Sequence, residues 1–406
     1  MPPRFTPDRR ALLGGIATAA VLGTAARAQA RPVRIGYSIS KTGPNAGGAN
    51  TTTLPNYQLW ARTVNEAGGL RLPDGQRRPI ELIEYDDRSQ SEEAVRNVDR
   101  LINQDRADLV LPPWGTALNL AVGPVLNRAG YPHLAVTSVT DRIPELVQRW
   151  PNAFFFLGRS SAAAEALVSA LQGLRQEHGL GSTVALVSVQ DQFGIELMNA
   201  GRAALNRAGF RILMDRQYPL GSQDLSPIIA EAARANPEIF IAFSYPPDTL
   251  ALTEQARIAN FNPKVFYTAV GTAFPLFRQR FGNNAEGVTG IGGVDTQSPA
   301  IRDYIARHTQ VIGRPPDGWA SPVTYASLQV LEQAIAQVGV DRPALIRAIA
   351  SGTFETVIGT VRLENNQRVR QWWVGQWQGG EFVAVGPPGV PGVQPIRFPK
   401  PAWGAA

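Results

Sequence analysis

Short apolar runs alternate with segments of helical periodicity along most of the chain. Residues 33–39 (VRIGYSI) are typical of a buried strand, and residues 54–66 carry apolar side chains at helical intervals until Gly68-Gly69. Turn-forming residues at 41–48 (KTGPNAGG) predict a loop between them. The further predicted strands are 80–85, 107–111, 133–136, 183–189, 211–217, 239–244 and 264–268, and the further predicted helices are 91–104, 115–128, 161–177, 194–208, 226–235, 248–260 and 322–338. This alternation predicts an α/β fold with parallel sheets covered by helices.

The alternation starts again after Arg159, which indicates two α/β lobes in succession. The last hundred residues are strand-like at 360–363, 371–376 and 382–385. The tail at 387–406 contains prolines 387, 388, 391, 395, 399 and 401. We therefore expect this tail to be extended and packed over the surface.

The first thirty residues are typical of an export signal. Arg9 and Arg10 precede an uncharged run at 11–26, and Ala28-Gln29-Ala30 supplies the small residues that a signal peptidase reads. The paired arginines favour the twin-arginine route. We expect cleavage after Ala30 and a soluble mature protein in the periplasm, because no later apolar stretch approaches the roughly 18 residues of a membrane span.

Composition narrows the classes of partner and chemistry. The 406-residue chain carries a net charge of +6, and this falls to +3 without residues 1–30, which hold four arginines and one aspartate. With no dense block of basic residues, we expect no nucleic-acid partner, and we expect a monomer. The chain has no cysteine, which excludes disulfides, thiolate metal sites and a cysteine nucleophile.

Signals for catalysis, cofactors and metals are absent from the sequence. The three histidines, His133, His178 and His308, are far apart and lack metal-ligand spacing, so we predict no metal site. No nucleophile-elbow, phosphate-loop or complete dinucleotide motif is present, so we predict neither catalytic residues nor a cofactor.

Three loops that follow predicted strands favour ligand binding instead. They are 112–116 (PPWGT), 137–140 (TSVT) and 245–248 (YPPD). In open α/β sheets, ligands bind beyond the carboxyl ends of the strands, where helix N-termini offer free N–H groups. The alternative is that Thr116, Ser138 and Thr140 only cap helices.

An ordered set of short segments resembles the periplasmic ligand-binding proteins of the branched-chain amino acid (Leu/Ile/Val-binding) family of ABC importers. The segments are 34–36 (RIG), 42–44 (TGP), 64–70 (VNEAGGL), 85–88 (YDDR), 191–194 (DQFG), 224–226 (DLS), 285–288 (AEGV), 325–327 (YAS), 357–360 (VIGT) and 398–403 (FPKPAW). The resemblance implies a type I periplasmic binding protein, in which two Rossmann-like lobes with parallel central sheets are joined by a three-crossover hinge. Crossovers near 157, 288 and 360 would give a first lobe of 31–157 with 288–360 and a second lobe of 158–287 with 361–386.

The resemblance also implies a ligand site between the lobes. The first lobe would hold a carboxylate with residues that match the family's hydroxyl loops, and the second would add an aromatic side chain and a tyrosine. The matching positions are Trp114, Gly115, Thr116, Thr137, Ser138, Thr140, Phe193 and Tyr245. The acidic group that amino-acid binders use for the ligand's ammonium falls at or near Val270, and an aromatic of the first-lobe loop is replaced by Gly47-Gly48.

These two departures favour an acid without an amino group, such as an aromatic one, or an amide-like solute over a branched-chain amino acid. A buried ammonium without a partner costs several kcal/mol. We expect an extracytoplasmic receptor that closes over a small-molecule ligand and delivers it to an ABC permease in the inner membrane. The alternatives are a sensor domain for a signalling partner and an exported hydrolase.

Overall fold

The computed structural model describes residues 1, 3 and 31–405, so the export signal predicted at 1–30 falls almost wholly outside the described residues. The strands are β1 Val33–Ile39, β2 Leu70–Arg71, β3 Arg77–Arg78, β4 Ile80–Asp86, β5 Leu109–Leu111, β6 His133–Ala135, β7 Ala153–Phe155, β8 Thr183–Gln190, β9 Arg211–Pro219, β10 Ile239–Phe243, β11 Val265–Thr268, β12 Thr289–Ile291, β13 Thr353–Thr356, β14 Gly359–Arg362, β15 Val374–Gln378 and β16 Glu381–Gly386. The helices are α1 Ala46–Thr52, α2 Leu54–Glu66, α3 Ser91–Asn103, α4 Thr116–Arg128, α5 Ile143–Arg149, α6 Ser160–His178, α7 Gln192–Arg207, α8 Ser226–Ala235, α9 Pro246–Ile258, α10 Pro275–Phe281, α11 Pro299–Ile312, α12 Ala320–Val338 and α13 Arg342–Ser351.

Two parallel sheets organise the chain, as the alternation predicts. The first has the order β4-β1-β5, and β6 pairs in parallel with β7 nearby. The second has the order β16-β15-β12-β11-β10-β8-β9, parallel from β12 to β9 and antiparallel at β15 and β16. Every residue of β10 (IFIAF) is buried, because helices cover both faces of this central strand.

Helices pack closely on the sheets through their apolar faces. The helix α3 buries Ala94, Val98 and Leu101 on one side. It crosses β1 at Gly36, where a β-carbon would lie 2.4 Å from Cδ2 of Leu101. Glycine at this position therefore permits the close approach of helix and strand.

The chain passes three times between the two sheets. It leaves the side of the β4-β1-β5 sheet after β7 and returns to it after β12. It crosses to the seven-stranded sheet again between β14 and β15. The type I arrangement of two α/β lobes is therefore confirmed. The boundary predicted at 288 is too early, because β12 pairs with β11 in the second sheet, and the boundary predicted at 360 falls inside β14. We therefore propose a division with two shifted boundaries, a first lobe of 31–157 and 292–362 and a second lobe of 158–291 and 363–386.

Several elements escaped prediction from the sequence, most of them short. The predicted loop at 41–48 contains the start of α1, although Gly47 and Gly48 are poor helix formers. The chain also forms α5, α10, α11, α13, β7, β12 and β13, together with the β2–β3 hairpin. Strands of two to four residues are too short to produce a periodic pattern, so only pairing with a neighbour defines them.

The C-terminal tail packs on the second lobe. The N–H of Gln394 donates to the carbonyl of Ala384 (2.8 Å), and the N–H of Lys400 donates to the carbonyl of Lys264 (2.9 Å). The indole of Trp403 donates to the carbonyl of Phe261 (2.7 Å). None of the helices in the described part of the chain combines the length and apolar character that crossing a membrane requires.

Candidate ligand-binding site

A small pocket lies between the lobes at the carboxyl ends of strands from both sheets. The space between its atoms, counted out to open solvent, is about 330 Å³, but only about 20 Å³ can hold a water-sized molecule, so the pocket is nearly closed. The lining residues are Thr52, Trp114, Gly115, Thr116, Thr137, Val139, Leu157, Phe193, Tyr245, Val270, Trp319 and Ala320. The structure therefore brings together seven of the nine positions expected from the sequence, and Ser138 and Thr140 lie outside this lining.

Sequence reasoning missed five of the lining residues. Thr52 ends α1, Trp319 and Ala320 begin α12, and Val139 and Leu157 flank the expected positions. The α12 segment is about 200 residues beyond Trp114 along the chain, and no local pattern in the sequence connects the two. Only the return of the chain after β12 brings this segment to the pocket.

The helix α4 begins at the pocket without a side-chain cap. Its N-cap Gly115 has φ +93°, a backbone conformation that favours glycine. The first helical hydrogen bond runs from the N–H of Asn119 to the carbonyl of Gly115 (3.2 Å). The N–H groups of Thr116, Ala117 and Leu118 precede that bond and have no carbonyl partner within the helix. Such a terminus attracts an anion through its N–H groups and the helix dipole.

Three other helices that begin at the pocket already carry a carboxylate of the protein. Asp191 caps α7 by accepting from the N–H of Gly194 (2.8 Å). Asp248, in the first turn of α9, accepts from the N–H of Tyr245 (3.2 Å). Asp317 accepts from the N–H groups of Trp319 (2.8 Å), Ala320 (2.9 Å) and Ser321 (2.7 Å) at the start of α12. Burial raises the pKa of all three carboxyl groups, that of Asp248 to about 6.

A buried hydrogen-bond network holds the loop that precedes α4. The side-chain amide of Asn119 donates to the carbonyls of Pro113 (2.9 Å) and Gly115 (2.8 Å), and its oxygen lies 3.1 Å from Nε2 of His133. The hydroxyl of Thr137 accepts from the N–H of Gly115 (2.9 Å). Burial lowers the pKa of His133 to about 4, so the ring is neutral at pH 7 and serves a structural role.

Aromatic rings from both lobes meet across the pocket. The ring centroids of Trp114 and Tyr245 are 5.2 Å apart, and Phe193 stacks on Tyr245 at 5.1 Å. The hydroxyl of Tyr245 donates to Asp191 (2.7 Å), and the indole of Trp114 donates to the hydroxyl of Thr52 (3.0 Å). The polar ends of both rings are therefore satisfied by protein, and their apolar faces are left to form the wall.

The hydroxyl groups of Thr116, Ser138 and Thr140, which the sequence predicts to hold the ligand, are not free to do so or lie outside the pocket lining. The hydroxyl of Thr116 accepts from the N–H of Val139 (3.1 Å), so it joins α4 to the 137–140 loop and does not cap its own helix. The hydroxyl of Thr140 donates to Glu196 (2.8 Å). The hydroxyl of Ser138 is buried and has no hydrogen-bond partner among the described residues. The backbone N–H groups in the first turn of α4 are therefore the donors available to a polar group of a ligand.

The residues that line the pocket carry no charge at neutral pH. Val270 lies there as the family resemblance implies, and its carbonyl accepts from the hydroxyl of Thr249 (2.6 Å). Within residues 31–405, no group of three or more His, Asp or Glu side chains is arranged to hold a metal ion. The pocket therefore combines an apolar wall with the N-terminus of α4, whose first turn has no acidic residue.

Comparison with known proteins agrees with the architecture. The chain is 22% identical to Leu/Ile/Val-binding protein homolog 7 of Brucella melitensis over 404 residues, which cover 95% of this chain and 98% of the relative. A solute-binding protein of an ABC transporter from R. palustris, solved in complex with benzoate, has a TM-score of 0.76 at 17% identity and covers 91% of this chain and 97% of its own. A third similar protein is LivJ from Streptococcus pneumoniae, a branched-chain amino acid transporter substrate-binding protein solved with isoleucine. It has a TM-score of 0.73 at 17% identity, and the match covers 87% of this chain and 98% of LivJ.

The resemblance to Leu/Ile/Val-binding proteins drawn from short sequence segments is confirmed by these relatives. The family described as periplasmic binding protein matches residues 32–381, which is most of the chain. The chain therefore belongs to the periplasmic binding protein family.

Proposed function

We propose that the protein is the extracytoplasmic solute-binding receptor of an ABC importer, and that its ligand is a small carboxylic acid without an α-amino group, aromatic acids being the favoured class. The ligand would lie in the pocket between the lobes and would be released unchanged to a permease in the inner membrane. Export to the periplasm follows from the sequence of residues 1–30.

One observation carries the choice of a carboxylate. Of the four helices that begin at the pocket within residues 31–405, α7, α9 and α12 have an aspartate at or next to their first turn, whereas α4 has none. An anionic ligand is therefore accommodated at α4 without competing with a carboxylate of the protein. The N–H groups of Thr116, Ala117 and Leu118 would receive its oxygens.

The absence of charge from the pocket lining argues against an amino acid. A ligand ammonium would need a carboxylate, and those at the three other helix starts, Asp191, Asp248 and Asp317, already accept hydrogen bonds from protein groups. The rings of Trp114, Phe193 and Tyr245 favour a flat apolar body. The R. palustris protein solved with benzoate supports this class, and the LivJ structure with isoleucine supports the alternative of a branched-chain amino acid.

Binding would require the lobes to part. Trp114 belongs to the first lobe and Tyr245 to the second, and their rings are in contact across the pocket. A hinge motion at the three crossings would separate the rings, admit the acid and close over it. This motion involves no reaction on the ligand.

Two matched pairs of ligands test the proposal by calorimetry. Benzoate and benzamide differ in charge, whereas leucine and 4-methyl-2-oxopentanoate differ at the amino group. We expect benzoate to bind more tightly than benzamide, and 4-methyl-2-oxopentanoate more tightly than leucine. Each tighter ligand should also raise the melting temperature more, because it binds only the folded state. Tighter binding of leucine than of its oxo analogue would refute the proposed ligand class. Sequencing of the exported protein from its N-terminus, with Arg31 expected first, tests the export signal.

A further inference from the structure

Glu196 joins elements of the two lobes through its carboxylate. It lies on α7 of the second lobe, one turn after Phe193. Its Oε1 accepts from the hydroxyl of Thr140 (2.8 Å) and from the side-chain amide of Gln192 (2.6 Å). Its Oε2 accepts from the N–H of Asp141 (2.8 Å) and from the hydroxyl of Ser160 (3.4 Å).

Two of these donors come from the other lobe. Thr140 and Asp141 follow β6 in the first lobe, and Thr140 is fully buried. Hydrogen bonds to an ionised acceptor are shorter and stronger than those between neutral groups. The carboxylate of Glu196 is therefore a stronger connection between the lobes than a neutral amide at the same position would be.

The contact lies beside the pocket without belonging to it. Glu196 and Thr140 are both absent from the pocket lining, whereas Phe193 on the same helix forms part of the wall. The N–H of Thr140 also donates to the carbonyl of Gly158 (3.1 Å) at the first crossing between lobes. Glu196 is thus attached to the loop that is fixed at the hinge, and it shares the helix α7 with Phe193.

We propose that Glu196 is a positioning residue that fastens α7 to the 140–141 loop in the closed arrangement and so raises ligand affinity without contacting the ligand. The inference rests on the proposed function, because it concerns the affinity for the acid proposed there. It also assigns the hydroxyl of Thr140 to Glu196 and not to the bound acid. When only a fraction of the protein is in the binding-competent arrangement, the observed affinity is the intrinsic affinity multiplied by that fraction. Loss of the Glu196 contacts therefore weakens binding through the closed population and increases the dissociation rate.

A double-mutant cycle separates this role from direct ligand contact. The proteins are the wild type, Thr140→Val, Glu196→Gln and the double variant, and the probe is benzoate. We expect each single variant to weaken benzoate binding by about tenfold. We expect the double variant to bind no more weakly than the weaker single variant, because both changes remove the same connection. If the loss of benzoate affinity in the double variant equals the product of the two single losses, Thr140 acts independently of Glu196 and the inference is overturned. Unchanged affinity of Glu196→Gln would also overturn it.

The control is Glu165→Gln. Glu165 pairs with Arg207 at 3.3 Å on the surface of the second lobe, and both side chains are more than 60% exposed. This variant removes the same charge without touching the first lobe, so benzoate affinity is expected to match the wild type. A loss as large as that of Glu196→Gln would attribute the effect to net charge and refute the positioning role.

A distance measurement tests the inference without any ligand. The chain has no cysteine, so spin labels are placed uniquely by Asp99→Cys on α3 and Ala230→Cys on α8, both exposed positions on different lobes. Glu196→Gln is expected to shift the distribution of distances between the labels toward wider separations than in the unsubstituted labelled protein. An identical distribution would overturn the inference. Failure of the wild type to bind any acid would instead count against the proposed function alone.

Discussion

Gly48 and Trp114 share one space in the first lobe. A β-carbon at position 48 would lie 2.1 Å from Cζ2 of Trp114, so the indole occupies the room that a side chain on α1 would take. The resemblance to the Leu/Ile/Val-binding family implies an aromatic residue in the 47–48 loop. In this chain the aromatic surface comes instead from the loop after β5, and glycine at position 48 makes that exchange possible.

Substitution of Gly48 is therefore expected to disturb the pocket. Gly48→Ala would force Trp114 out of its place, and such overpacking costs about 1–3 kcal/mol of unfolding free energy. Benzoate binding should weaken in parallel, because the indole forms part of the wall. Urea denaturation and calorimetry provide the two measurements.

Gly47→Ala is the matched control for that change. A β-carbon at position 47 would have the β-carbon of Pro246 as its nearest neighbour, at 3.6 Å, which is ordinary contact. Because alanine favours helix by about 1 kcal/mol over glycine, this variant should be as stable as the wild type or more so. Equal losses in the two variants would contradict the space-sharing of Gly48 and Trp114.

A carboxylate placed in the first turn of α4 should compete with an acidic ligand. Ala117 is the second residue of this helix and is partly exposed. Ala117→Glu is expected to weaken benzoate binding at least about tenfold more than Ala117→Gln, which is about 1.4 kcal/mol. The melting temperature of Ala117→Glu should not fall below that of Ala117→Gln, since an acidic residue near a helix N-terminus is favourable. Equal affinities of the two variants would show that the ligand's charge does not lie at this helix.

The buried His133 predicts a pH dependence of stability with a defined sign. Its pKa is lowered by burial from 6.5 to about 4, so below pH 6.5 the unfolded chain binds a proton that the folded protein excludes. Stability from this residue is therefore lost as the pH falls from about 6.5 towards 4, by at most about 3 kcal/mol. Urea denaturation at pH 7 and pH 5 should show the wild type losing stability relative to His133→Gln.

The comparison with His133→Gln isolates that group from the buried carboxyl groups, which act in the opposite direction. Burial raises the pKa of Asp87 and of Asp248 to about 6, so these carboxyl groups gain protons on folding and favour the folded state as the pH falls. These groups are present in each protein, as are Asp191, Asp317 and Glu332, whose pKa burial also raises, and their contribution cancels in the difference. A difference that stays constant between pH 7 and pH 5 would refute the assignment to His133.

Asp317 is expected to support both the fold and the ligand site. It accepts hydrogen bonds from three backbone N–H groups at the start of α12, including that of Trp319 in the pocket wall. Asp317→Ala should lower the unfolding free energy by about 2 kcal/mol and weaken benzoate binding, because the segment that carries Trp319 loses its anchor.

Asp341→Ala supplies the comparison. Asp341 caps α13 through the N–H of Ala344 (2.9 Å), away from the pocket lining. This variant should lose stability with unchanged affinity for benzoate. If Asp317→Ala also kept full affinity, the cap would serve the helix alone.

The sequence predicted most of the longer elements, although it missed the 14-residue α11. The helix α2 has the predicted bounds of 54–66, and the apolar run at 239–244 forms β10 almost completely. Burial on both faces makes a central parallel strand continuously apolar, which the sequence displays directly. The seven-residue α1 was missed because its glycines predict a turn, and packing against Trp114 and α2 outweighs that preference.

The sequence by itself determined the order of strands and helices, the position of the site loops at strand ends and the lack of charge around Val270. Those properties depend on which residue types stand near each other along the chain. The tertiary structure decided that the hydroxyl of Thr140 faces Glu196, that Trp319 joins the pocket wall and that, among the described helices that begin at the pocket, α4 lacks the aspartate that the others have. The residues of each such pair or set lie tens to hundreds of positions apart in sequence, so only the three crossings of the chain between the lobes bring them together.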